Sequence, residues 1–114
     1  METTFAHSAT LWLEPGSDFR APGGAVTVAL CGSWSHGDRP CVWPHHTVVE
    51  QDGAQVMVRT VFRAGPEDEA EVRRLIEHAL RDGRFVGPGG WESRWVTRAS
   101  GPVDPGDDQA LRTH

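Results

Sequence analysis

The sequence has no lysine, no asparagine and no tyrosine, and a single isoleucine; all 11 of its basic side chains are arginine. This is the skew expected of a GC-rich bacterial coding sequence, and it leaves tryptophan and valine to supply bulk. Long apolar runs are also missing. The longest, in AVTVALCGSW, is far short of a bilayer's thickness, so no membrane partner is expected. The opening METTFAHSATLWLEP lacks a basic segment ahead of an apolar one, so a secretory leader is not expected and a cytoplasmic location is. No basic stripe exists. With 16 acidic residues and a net charge of −5, the chain is not expected to release counterions from nucleic acid.

What remains is a 114-residue chain with 38% hydrophobic and 24% charged residues, the composition of one folded unit. Residues 1–101 read as a single α+β domain and 102–114 as a flexible tail, because ASGPVDPGDDQALRTH is rich in Pro, Gly and Asp.

The clearest element is a helix. Gly65-Pro66 opens it, Glu67, Asp68 and Glu69 suit its positive end, and Gly83 closes it. Val72, Leu75, Ile76, Ala79 and Leu80 recur at helical spacing, and Glu71, Arg74, Glu77, His78 and Arg81 fill the solvated side. Elsewhere the period is two. Residues 3–13 place Phe5, Ala9, Leu11 and Leu13 on one side and Trp12 on the other. Val26, Val28 and Leu30 alternate with Thr27, Ala29 and Cys31, which reads as a second strand. VVEQDGAQVMV reads as a hairpin turning at Asp52-Gly53, pairing Val49 with Val56 and His45 with Thr60. RDGRFVGPGG reads as a loop, and WESRWVTR as a last strand with Trp91 and Trp95 on one face. The expected fold is an antiparallel sheet of about five strands, ordered β-β-β-β-α-β, with one amphipathic helix on one face.

Both cysteines and three of the six histidines lie in CGSWSHGDRPCVWPHH, residues 31–46. A tight turn at 37–40 would put His36, Cys41 and His45 on the helix side of the sheet beside Trp34 and Trp43, with Cys31 and His46 opposite. Four readings follow. Zinc could be held by His36, Cys41 and His45, with Cys31 or His46 as further ligands, though the spacing matches no standard zinc signature. A disulfide is excluded by the tight hairpin, where Cys31 and Cys41 stand roughly 17 Å apart against the needed 7 Å or so. An irregular loop would permit it, for a gain of roughly 2.5 kcal/mol. Cys41 could be a nucleophile activated by a histidine, but no orienting group or oxyanion hole accompanies it. GSWSHG does not make a nucleophile elbow, since Ser33 replaces its first glycine. The plainest reading is a structural hairpin end, with Trp34 and Trp43 as a cross-strand pair worth up to about 1 kcal/mol.

Five tryptophans also suggest a binding surface. Trp34, Trp43 and Trp95 suit a core; Trp12, on the face away from Leu11 and Leu13, suits a partner. The functional expectation is a small accessory or binding protein rather than an enzyme. It would contact a protein or small ligand through Trp12, Trp34 and Trp43, need no cofactor, and be able to pair with a second copy through an edge strand. The alternative is a small zinc protein, hydrolase-like, built on His36, Cys41 and His45.

Overall fold

The computed structural model describes residues 2–31 and 43–105. Five strands form one sheet: β1 (Thr3–Leu13), β2 (His45–Asp52), β3 (Gln55–Ala64), β4 (Arg84–Val86) and β5 (Glu92–Val103). Their order across the sheet is β2-β3-β1-β5-β4, and every neighbouring pair is antiparallel. Two helices, α1 (Ala21–Cys31) and α2 (Glu69–Asp82), accompany it. The α+β class and the antiparallel five-stranded sheet agree with the sequence reading. The make-up of the sheet differs in two places.

The first is α1. Residues 26–31 alternate like a strand but are helical. Pro22 sits in the first turn, where a missing N–H costs nothing, and Pro22, Val26 and Leu30 follow one another at intervals of four. Residues 21–26 and Leu30 are all buried, so the helix has almost no polar side to announce it. Its Gly-Gly pair and valines are weak helix formers, and burial against the sheet overrides that propensity. Gly23 permits the close approach: a Cβ there would stand 3.0 Å from Val49 Cγ2 and 3.4 Å from Thr47 Cγ2. The strand pairing that placed Cys31 beside His46, on the face away from His45, is therefore replaced; the turn expected at 37–40 lies outside the described residues.

The second is β4, three residues inside what reads as a loop, paired with the start of β5. It restores the strand count that α1 removes. β5 lies beside β1 and continues to Val103, so Pro102 and Val103 pair with His7 and Ala6 instead of opening a tail.

The hairpin between β2 and β3 forms, with its turn one residue later than expected. Asp52 pairs with Gln55, leaving Gly53 and Ala54 as the two loop residues. Gly53 takes φ 62° in the first central position, as a type II′ turn requires, whereas Asp52 there would need a left-handed backbone. Val49 thus meets Val58 and His45 meets Phe62. The slip is two positions in the pairing, so every side chain keeps its expected face.

The core lies on the helix side of the sheet. Leu11, Val56, Val58 and Phe62 meet Val26 and Leu30 from α1 and Val72, Ile76 and Leu80 from α2, all at 2% exposure or less. Each such side chain contributes roughly 1.5–3 kcal/mol of transfer free energy. Trp95 joins them at 4% exposure. Trp91 does not: it precedes β5 and is 65% exposed.

Candidate functional site

The other face of the sheet carries no helix among the described residues. Alternation from the registers gives its layout. Across one row stand Asp52, Gln55, Trp12 and Val96; across the next stand Glu50, Met57, Thr10 and Ala99. Trp12, Met57 and Val96 are 44%, 45% and 64% exposed, so three large apolar side chains from the three middle strands share one open patch. Trp12 and Val96 are direct cross-strand partners. Asp52 and Glu50 border the patch on the β2 side. Arg94, one step along β5 from Val96 on the same face, and Arg84, its partner on β4, border it on the other.

Trp12 therefore stands where its strand parity predicts. Met57 was legible in the same way, since it shares its parity with Gln55 and Arg59 and alternates with the buried Val56 and Val58. Val96 was not, because its contribution depends on β5 lying beside β1. Trp43 is not part of this patch. It precedes Pro44, whose carbonyl accepts from Arg63 N–H, and Arg63 pairs with Thr4 at the far end of β1. Eight residues of strand separate Thr4 from Trp12, roughly 26 Å. Trp43 is half-buried and packs on the core. Trp34 lies outside the described residues.

At Trp43's end of the sheet, His45 Nδ1 is 3.2 Å from the Trp43 carbonyl and 3.7 Å from Cys31 Sγ. A carbonyl only accepts, so Nδ1 carries the proton. Cys31 is on the same side as His45, contrary to the strand reading, because it ends a helix that packs on that face. It is disulfide-bonded, so its sulfur is not a thiolate in this structure. His46 alternates to the face away from the helices, where its partner Val61 and the neighbouring Ala6 are buried. Of the zinc set, His36 and Cys41 lie outside the described residues; among the described residues no three His, Cys, Asp or Glu side chains converge as a metal would need.

One buried polar cluster is invisible to sequence periodicity. His7, 2% exposed, sits on the helix side of β1. Arg73 Nη1 is 3.0 Å from His7 Nδ1 and donates to the Ala6 carbonyl at 2.8 Å, while its Nε donates to Glu69 at 2.7 Å. The guanidinium also lies 5.8 and 5.4 Å from the centroids of Phe5 and Phe62. Because arginine only donates, His7 Nδ1 accepts and its proton is on Nε2, which faces Ser100 Oγ at 2.9 Å. Ser100 and His7 thus resemble a nucleophile and its base with the polarity reversed: Nε2 already holds a proton and cannot take one from Ser100. Burial first, then the Arg73 charge, hold the His7 pKa below 6.5, against an opposing pull from Glu77.

No family model matches the chain, and no curated protein or solved structure matches it. No helix among the described residues is long and apolar enough to cross a membrane.

Proposed function

We propose that this chain is a protein-binding module whose docking surface is the open face of the sheet, and that a second copy of the chain is the partner it takes. The observation that carries the reading is the exposed Trp12–Met57–Val96 patch, spread over the three middle strands at the β2–β3 hairpin end of that face. Tryptophan and methionine are the residue types enriched in interface centres, and a patch of this kind on a flat sheet is covered most simply by another sheet about 10 Å away.

Charge selects the second copy. β1 is the central strand, so a two-fold axis running along it between two facing sheets lays the β2 side of one copy over the β4–β5 side of the other. Asp52 then comes within one row of Arg94 and Arg84, with Glu50 one row further off, and Trp12 lies near its own symmetry mate. Arg94 and Arg84 share Glu92, at 3.4 and 3.0 Å, so one positive charge remains there to meet the two acidic groups. These rim charges steer and orient more than they hold.

Sedimentation equilibrium tests the reading. A dimer is expected at micromolar concentration, with Trp12→Ser and Met57→Asp shifting it to monomer while leaving the circular dichroism unchanged. A strictly monomeric wild-type protein at hundreds of micromolar would sink it.

A further inference from the structure

On the helix side of the molecule, the β1–α1 connection and the β4–β5 connection enclose a cleft of about 300 Å³. Phe85, Pro88 and Trp91 give it apolar walls, Asp18 and Arg20 lie along it, and Ser93 contributes a hydroxyl. Trp91 is mostly in solvent, yet its indole N–H donates to the Gly16 carbonyl at 3.1 Å. Gly16 and Gly90 hold φ 86° and 85°, left-handed values that shape the two turns bringing these loops together. The exposed ring is thus fixed in orientation by a bond to the β1–α1 connection. An aromatic face held out and oriented in this way is suited to stacking on another ring.

The polar groups are arranged as a pair. Arg20 Nε and Nη2 donate to Asp18 Oδ1 and Oδ2, each at 3.1 Å, and the Arg20 backbone N–H adds a third bond to Oδ1 at 2.9 Å. Oδ2 receives only one of these, so it keeps acceptor capacity; Nη1 takes no part, so it keeps donor capacity. Ser93, 1% exposed, accepts from Asp18 N–H at 2.8 Å and keeps its own hydroxyl proton to donate. An acceptor and a donor therefore stand side by side, with no net charge between them.

We propose that this cleft binds a small, neutral, planar heteroaromatic ring whose edge carries an N–H donor next to a carbonyl acceptor, the edge shared by pyrimidinones and aromatic carboxamides. The ring stacks on Trp91 against Phe85 and Pro88. Its N–H is taken by Asp18 and its carbonyl by Arg20. Anions meet the Asp18 carboxylate and cations meet the Arg20 guanidinium, so charged analogues are disfavoured. A phosphorylated ligand is disfavoured further, because the one arginine along the cleft is already paired. The volume suits one or two rings, at the small end of ligand pockets. This site is independent of the open sheet face.

The test titrates the full chain with nicotinamide and uracil, and with nicotinate as the anionic counterpart, reading the amide and indole resonances by NMR. Saturable millimolar binding of at least one neutral probe is expected, shifting the Trp91 indole signal, with nicotinate at least about tenfold weaker. Trp91→Ala should weaken binding about tenfold, the usual worth of one stacking platform, and Trp91→Phe should retain most of it. Arg20→Gln leaves Asp18 unneutralised and should turn the preference toward the cation benzamidine. Nicotinate binding as tightly as nicotinamide would overturn the proposal. So would the absence of saturable shifts with both neutral probes, or unchanged affinity in Trp91→Ala.

Discussion

The indole N–H of Trp95 donates to the Leu80 carbonyl at 2.8 Å, tying β5 to the last turn of α2. The same carbonyl accepts from Thr97 Oγ1 at 2.8 Å and Gly83 N–H at 3.2 Å. The end of the helix is thus capped by side chains of a strand remote in sequence. Trp95→Phe removes one of three donors and part of a buried ring, and should lower the unfolding free energy by about 1–3 kcal/mol in urea titrations. Trp95→Phe combined with Thr97→Val should cost more than the sum of the two, since Leu80 then keeps only the Gly83 bond.

Gly83 closes the same helix with φ 72°, and a Cβ there would stand 2.7 Å from the Trp95 carbonyl oxygen. Gly83→Ala therefore meets both a left-handed backbone and a backbone atom that cannot swing away. A loss of about 2 kcal/mol or more is expected, read as a lower urea midpoint with an unchanged m-value.

His7 makes stability depend on pH. Its folded pKa lies below the ordinary 6.5, so on acidification the unfolded chain takes up a proton before the folded one does. Stability should be flat above about pH 7 and decline as pH falls through 6.5 toward the folded value. The groups facing His7 are Arg73 and Glu77 from α2, and Ser100 from β5. Glu77→Gln removes the one group that favours the imidazolium, so its decline should be steeper than the wild type's. A Glu77→Gln slope equal to or shallower than wild type would show that His7 does not govern this window.

Cys31 is disulfide-bonded, and the sequence holds two cysteines. Protein unfolded without reductant should show no reactive thiol in a dithionitrobenzoate titration, and two after reduction. Reduction should also lower the melting temperature, because it frees the unfolded chain from a covalent constraint. Two thiols before reduction, together with stoichiometric zinc, would instead favour His36, Cys41 and His45 as ligands.

Some of this was written in local pattern. α2 was legible because its apolar residues recur on one side and charged ones on the other; the structure buries Val72, Ile76 and Leu80 as that stripe requires. β1 runs over 3–13 as its alternation indicates, and Trp12 is exposed because residues of one parity must share a face. The β2–β3 hairpin kept its faces despite a shifted turn, since a slip of two preserves parity.

The rest needed the third dimension. α1 is buried on nearly every side, so its polar–apolar pattern does not identify it, and only its packing beside α2 on the sheet decides its form. β4 is too short to carry a pattern and exists because β5 offers it an edge. The patch of Trp12, Met57 and Val96 and the cleft between Trp91 and Asp18 both join segments distant along the chain. Periodicity reports which way a side chain faces its own element. It carries no information about which strands become neighbours or which loops close on each other.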